Sequence, residues 1–376
     1  MLIKEVKAKI IFDSRNEPTI DVSVNGCKAS SPSGKSKGKH ETPSYHNSLR
    51  WNINAINNLK IPFEINSFSD LKKIEALIKN RFKLNNAKHF GANALFALES
   101  AILKALAKEN KKQLWEIINP NARRFPVPVG NAIGGGLHSA KFKEHPVFQE
   151  FLLIPDEKTF RNNVRTMQKI YGKLKSKLNA TQINDEGALQ TSFNDEQILN
   201  ILSKLNIRIG VDIAASSFYK QGFYSYKQKQ LDKQSQINYI NSLIRDYNLF
   251  YIEDPLNEED FLGFSKIKKS SNHLVVGDDL TTTNIQRLKK AIKMKSINAM
   301  IIKPNQNGSL FELKQIFEIC KNNNIKTIMS HRSGETLDNA LADYAFAFGA
   351  DFIKTGIATK YREAKLNRLI EIEESI

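Results

Sequence analysis

The sequence predicts an α/β chain: a C-terminal (β/α)8-type barrel preceded by a smaller N-terminal α+β domain that caps it. Three observations predict this. First, between residues 208 and 355 short apolar runs recur, each closing on charged or polar residues and each followed by an amphipathic segment. They are IRIGVD, LFYIED, HLVVGDD, AMIIK, KTIMSH and ADFIK, which carry Asp212, Glu253, Asp278, Lys303, His331 and Lys354 at their ends. Val- and Ile-rich runs of this length read as strands buried on both faces. Second, after the first interval the runs return roughly every 25 residues, the spacing of a barrel whose strand C-termini face the active site. Third, the chain has 376 residues, and a barrel of roughly 250 leaves room for a separate domain in front. The expected division is 1–124 for the capping domain and 125–376 for the barrel.

The elements follow in order. IKEVKAKIIF and TIDVSV alternate as antiparallel strands, and Asn25-Gly26 is a hairpin signal leading into CKASS. SPSGKSKGKHET (31–42) is small, Ser/Gly-rich and lysine-bearing, and reads as a mobile loop able to fold over an anionic ligand. Its GKS does not make a phosphate-binding P-loop, because Ala29 stands where that motif needs glycine. FSDLKKIEALIKNRF reads as a helix opened by Ser69 as cap. FGANALFALESAILKALAKENKKQLWEIIN reads as helix with one break at its Lys/Asn cluster. Proline-bounded FPVPVGNAIGGGLHS is the crossing into the barrel, and the glycine run at 134–136 permits close backbone approach. HPVFQEFLLIP (145–155) reads as a strand with Gln149 and Glu150 in its middle, one of the two pointing inward. INDEGALQ is a polar elbow carrying Asp185 and Glu186. LTTTNIQRLKKAIKM reads as a helix with its threonines as candidate caps, and GSLFELKQIFEICK as an amphipathic helix.

The residue types at the strand ends have a chemical logic. Three carboxylates from three neighbouring strands make a hard oxygen site suited to Mg²⁺, with room for substrate oxygens. Lysines on the strands beyond can serve as a base and as a carboxylate partner.

Composition narrows the alternatives. The chain carries 56 basic and 39 acidic residues, a net charge of +17. The basic residues are spread along the chain without an arginine-rich tail, so the excess reads as solvated helix faces rather than a nucleic-acid interface. No apolar run reaches the roughly 18 residues of a membrane span. The N-terminus alternates like a strand and lacks the apolar core of a secretion signal. Cys27 and Cys320 suggest no disulfide framework, which fits a reduced cytoplasm.

With these pieces in place the chain resembles the enolase (phosphopyruvate hydratase) family, in its short archaeal form, nearly end to end. The motifs that carry the resemblance are SHRSGET (330–336), IIKPNQNGSL (301–310), VGDDL (276–280), VDIAASSFY (211–219), YIEDP (251–255), FQEF with DEG, FGANA (90–94) and DSRNEPT (13–19). The resemblance implies two Mg²⁺ per site, with Asp212, Glu253 and Asp278 holding the first and Ser36 helping to hold the second. It implies Lys303 as the base that takes a proton from C2 of 2-phosphoglycerate, and Glu186 as the acid that releases the C3 hydroxyl as water. Glu150 and His138 would stand beside Glu186, and Gln149 would line the site. Arg332 and Ser333 would grip the phosphate, while His331, Lys354 and the Ser36 loop would contact the substrate. Asp279 would be a partner of the lysines. The proton concerned is weakly acidic, so cations beside the carboxylate, and a lysine neutralised by cations near it, are what the chemistry requires. The family also implies a homodimer or larger homo-oligomer.

The sequence departs from the family pattern where the loop reads SGKSK in place of SGAST and where NDEGA replaces GDEGG. Two other readings stand beside this one: an acid-sugar lyase of the same superfamily, and a catalytically reduced relative that binds nucleic acid or a protein partner.

Overall fold

A computed structural model describes residues 1–35, 38–269 and 273–376. The chain opens with a three-stranded antiparallel meander of β1 (Val6–Phe12), β2 (Pro18–Val24) and β3 (Cys27–Ser30). Asn25 and Gly26 turn the β2–β3 hairpin with φ of 48° and 80°, the left-handed pair that a two-residue loop needs. Four helices follow: α1 (Leu49–Asn57), α2 (Leu71–Arg81), α3 (Ala92–Glu109) and α4 (Leu114–Ile118). The expected break falls between α3 and α4, where Lys111 takes a φ of 53°. Helix α3 is buried almost throughout because it is covered by the meander on one side and barrel elements on the other. Its Glu99 carboxylate accepts the Leu310 N–H at 2.7 Å, sewing the two regions together.

The cap expected at Ser69 lies elsewhere. Ser67 and Asp70 form a capping box around a short 3-10 turn, and Ser69 sits inside that turn.

The barrel is closed by eight strands: β4 (Val127–Gly134), β5 (Glu150–Ile154), β6 (Arg208–Asp212), β10 (Tyr251–Glu253), β11 (Leu274–Gly277), β12 (Ala299–Ile302), β13 (Lys326–Ser330) and β14 (Phe352–Lys354). Strands β7 (Tyr219–Lys220), β8 (Phe223–Ser225) and β9 (Gln230–Leu231) form a small separate sheet. The remaining helices are α5 (Phe160–Lys177), α6 (Asp195–Leu202), α7 (Lys233–Tyr247), α8 (Phe261–Lys269), α9 (Ile285–Lys293), α10 (Pro304–Asn307), α11 (Leu310–Asn322), α12 (Ala340–Ala347) and α13 (Lys360–Ser375). Helix α9 is capped by Asn284, whose side chain accepts from the Gln286 and Arg287 N–H groups, rather than by a threonine.

One strand breaks the simple β/α beat. β5 runs antiparallel to both β4 and β6. No helix long enough to carry the chain back across the barrel separates β4 from β5, so the chain re-enters from the same end. Consequently the strand starts at Glu150 rather than spanning 145–155, and Gln149 precedes it. The mouth of the barrel is therefore met at the beginning of β5 and at the ends of the parallel strands. The register puts Glu150 opposite Asp212, and Asp212 opposite Glu253.

Inside the barrel, below the mouth, Val129, Leu152, Ile154, Tyr251, Val276, Ala299, Ile301, Ile328 and Phe352 fill the interior. Side chains two apart on a strand share a face, so Tyr251 packs inward beneath Glu253 and donates its hydroxyl to it at 2.5 Å.

Candidate active site

The apolar plug gives way to charge at the mouth. Lys354 Nζ lies 2.8 Å from Glu150 Oε2, 3.1 Å from Asp212 Oδ2 and 2.9 Å from Glu253 Oε2. Lys303, at the cap of α10 with Pro304 in the first helical position, pairs with Asp278. Its backbone N–H is fixed by Thr283 Oγ1 at 2.9 Å. Gln149 Nε2 reaches Asp212 at 3.4 Å, so both residues of the Gln149–Glu150 pair face the mouth, where one was expected.

Electrostatics follow from burying so many like charges. Burial, then Asp212, holds Glu253 well above the ordinary carboxyl range. Burial raises Asp212 although Lys354 pulls it down, and burial pushes Glu150 up to about 7. Burial also acts on Asp278, but Lys303 outweighs it and the net shift is downward. Lys303 itself was expected to be lowered by neighbouring cations. Burial does lower it, yet the Asp278 carboxylate dominates and holds it above its usual value.

A second group forms around Glu186. His138 Nδ1 lies 3.6 Å from Glu186 Oε2 and 3.7 Å from Glu150 Oε1, and His331 Nε2 lies 3.9 Å from Glu186 Oε2. Burial pushes His138 down to about 4. The elbow that presents Glu186 is held by Asn184, whose Oδ1 accepts from the Glu186 and Ala188 N–H groups at 2.9 and 3.0 Å. Asn184, one of the departures from the family pattern, thus braces the elbow as an Asx turn. Gly135 is required nearby, since a Cβ there would stand 2.2 Å from the Phe148 carbonyl.

The third part is the SHRSGET segment beneath the 31–42 loop. Ser33 and Gly334 exchange backbone hydrogen bonds at 2.7 and 2.9 Å, and the Lys35 N–H donates to Ser333 Oγ at 2.7 Å. Lys35 Nζ pairs with Asp185 at 3.0 Å. Arg332 donates to both oxygens of Glu41 at 3.0 and 3.1 Å and to Asn305 Oδ1 at 3.3 Å. The described residues of the loop therefore lie across the mouth. Ser36 and Lys37 lie outside the described residues.

One cavity brings together His138, Gln149, Glu150, Glu186, Asp212, Asp278, Lys303, His331, Arg332, Ser333 and Lys354. Glu253 sits beneath them, fully buried against Lys354. Asp254, Glu41 and Asn305 were missed by the sequence reading. Asp254 accepts the Asp278 and Asp279 N–H groups at 3.0 and 2.7 Å and so shapes the turn after β11. YIEDP held the signal, but nothing local told its second acid apart from a helix cap. Asp279 was expected to support the lysines indirectly; among the described residues it makes no ion pair with either, while burial and Asp278 push its carboxyl up to about 7 against the pull of the Lys303 charge.

The donor set fits a hard divalent cation. Asp278 Oδ1 is buried with no hydrogen-bond partner among the described residues, and oxygens of Asp254, Asp278 and Asp279 lie within 4.8 Å of one another. Asp212, Glu253 and Asp278 form no group so tight among the described residues. Lys354 binds the first two and Lys303 takes the third.

Fold and site together define a class: a capped (β/α)8-type barrel enzyme with acid–base groups gathered at the strand ends. Residues 3–118 match the family model for the enolase N-terminal domain, and residues 122–376 match that for the enolase C-terminal TIM barrel domain. The chain belongs to the enolase family. It is 34% identical to the enolase of Picrophilus torridus, covering 100% of this chain and 99% of that one. It is 34% identical to the enolase of Archaeoglobus fulgidus (100% and 98%) and 33% identical to that of Methanocaldococcus jannaschii (100% and 95%).

Proposed function

We propose that the chain is a phosphopyruvate hydratase, a lyase that reversibly dehydrates 2-phosphoglycerate to phosphoenolpyruvate. The observation that carries the reading is one cavity holding a lysine on a single carboxylate, a second acid–histidine group, and an arginine–serine pair at the lid. Family membership supplies the substrate.

In this reading Arg332 and Ser333 bind the phosphate, for which a planar guanidinium is well shaped. Lys303, in its neutral form, takes the C2 proton. The electron pair left at C2 forms the double bond as the C3–O bond breaks. Glu186 gives its proton to the departing hydroxyl, which leaves as water, and His138 and Glu150 surround that transfer. Asp212, Glu253 and Asp278 would hold Mg²⁺; Ser36, the further ligand that the family resemblance implies, lies outside the described residues. Bound divalent cations supply positive charge where negative charge develops on the substrate carboxylate. Lys354 keeps the carboxylates together, and Gln149 and His331 line the pocket.

We further propose a division at 1–124 and 125–376, a homodimer or larger homo-oligomer, and a cytoplasmic location. Among the described residues no helix is long and apolar enough to cross a membrane.

The test follows the ultraviolet absorbance of the conjugated product with 2-phosphoglycerate, with and without Mg²⁺. A Mg²⁺-dependent rise is expected, and Lys303→Ala should reduce it by about 10⁴-fold while substrate binding survives. A flat trace from folded, Mg²⁺-supplied protein refutes the reading and favours a relative that binds nucleic acid or a protein partner.

A further inference from the structure

Arg362, in the first turn of α13, is 1% exposed. A buried guanidinium ordinarily meets a carboxylate, because an unpaired interior charge is costly. Among the described residues Arg362 meets none. Its Nη1 and Nη2 donors go instead to His331 Nδ1 at 2.8 Å, the Arg332 carbonyl at 2.6 Å, the Ser333 carbonyl at 2.7 Å and the Asp185 carbonyl at 3.4 Å. The first three acceptors lie on the segment after β13. The fourth lies on the elbow that carries Glu186.

We propose that Arg362 is a positioning residue for the reaction: it fixes His331 as the tautomer protonated on Nε2 and brackets the His331–Ser333 segment to the Asp185–Glu186 elbow. The inference rests on the reading of this cavity given above. The tautomer follows from donor inventory. Arginine only donates, so a nitrogen facing it at 2.8 Å must accept. His331 Nδ1 is thereby without a proton, and the ring's proton sits on Nε2, the nitrogen 3.9 Å from Glu186 Oε2. Burial and the Arg362 charge both hold the ring well below its usual pKa, consistent with a neutral donor.

The bracket also couples two ends of the site. The residue expected to grip phosphate and the acid expected to release water sit on different segments, and one planar group ties both down. An ammonium at the same position lacks the fork that spans them. Helix α13 places Arg362 far in sequence from the residues it holds, which explains why no motif pointed to it.

The experiment compares wild type, Arg362→Met and Arg362→Lys. Nitrogen-15 NMR of histidine-labelled protein, with the His331 resonance assigned by substitution, reads the tautomer. Wild type should show a neutral ring protonated on Nε2 alone. Arg362→Met should give a mixture of tautomers and a fall in kcat of about 100-fold, the scale of a displacement of about 1 Å in a reacting group. Arg362→Lys should recover part of kcat and part of the Nε2–H signal. A wild-type ring protonated on Nδ1 overturns the proposal. So does Arg362→Met with the wild-type tautomer and kcat, whatever its melting temperature. If Arg362→Met fails to fold, the wild-type tautomer and Arg362→Lys decide. Failure of the wild type to dehydrate 2-phosphoglycerate would refute the activity, whereas the tautomer measurement tests the bracket on its own.

Discussion

Lys354→Met asks whether the buried carboxylates at the mouth are held together by a single charge. Lys354 Nζ contacts Glu150, Asp212 and Glu253 at 2.8 to 3.1 Å, and none of the four side chains is more than 5% exposed. Methionine keeps the length of the side chain and removes the ammonium. Removing one partner from a buried ionic group costs about 3–5 kcal/mol, since the carboxylates left behind are neither solvated nor paired. For 376 residues the entropy of unfolding is roughly 0.8 kcal/mol/K, so the melting temperature should fall by about 4–6 °C.

The loss has a pH signature. Burial pushes Glu150 up from 4.5 to about 7, against the pull of Lys354. A carboxyl raised in the folded state contributes stability that is complete below its unfolded pKa and is lost as pH rises through its folded one. Glu150 therefore weakens the wild type between pH 4.5 and about 7. Without Lys354 the carboxyls rise further, and Asp212 and Glu253 lose their main counter-charge. The deficit should open above pH 4.5 and be fully developed at pH 8. At pH 4, below the range in which Glu150 ionises, Lys354 has lost that partner and the deficit should shrink. Thermal unfolding followed by circular dichroism from pH 4 to 8 is the assay. Adding Mg²⁺ should recover part of the loss, because a cation bound only by the folded state stabilises it by mass action. A variant that melts at or above the wild-type temperature at pH 8 would show that the carboxylates are tolerated without Lys354, and the electrostatic account of this wall would be wrong.

Two further predictions concern the lid and a carboxyl away from the mouth. Lys35 and Asp185 form a partly exposed pair, 37% and 21% open, so Lys35→Ala should loosen the lid by no more than about 1 kcal/mol. It should raise KM up to about fivefold without changing the melting temperature, and an unchanged KM at low salt would remove Lys35 from the closure. Burial pushes Asp195 up from 3.8 to about 6, although it accepts the Phe148 N–H at 2.9 Å. A raised carboxyl costs stability as pH climbs from 3.8 to about 6, so Asp195→Asn, which keeps the acceptor, should stabilise the protein by about 3 kcal/mol at pH 8. The two proteins should converge below pH 3.8; a variant less stable than wild type at pH 8 would refute the assignment.

The barrel was legible because a strand buried on both faces is apolar throughout, and a polar residue at its end interrupts the run visibly. Every one of the six runs became a barrel strand. What stayed hidden was decided by contacts distant in sequence. The direction of β5 depends on the length of the connection before it, and HPVFQEFLLIP reads the same in either direction. The helix starts at Ser67 and Asn284 turned on which of several capable residues met the free N–H groups. Glu41 finds Arg332, and Arg362 finds His331, across folds of the chain that no periodicity marks.

The same limit applied to the two lysines, and their surroundings bear on the choice proposed above. At a strand end either lysine could be a base or a counter-ion. Lys354 touches three carboxylates, which outweigh burial and hold it well above its usual pKa. A proton held by three anions is the harder one to release. Among the described residues the Lys303 ammonium pairs with Asp278 alone, and that carboxylate is also a candidate metal ligand. A cation on Asp278 would take away the partner that keeps Lys303 charged and add a like charge beside it, both of which favour the neutral amine. In the proposed mechanism, cation binding and readiness of the base would thereby be linked through one carboxylate. This favours Lys303 as the base and Lys354 as the fixed positive charge.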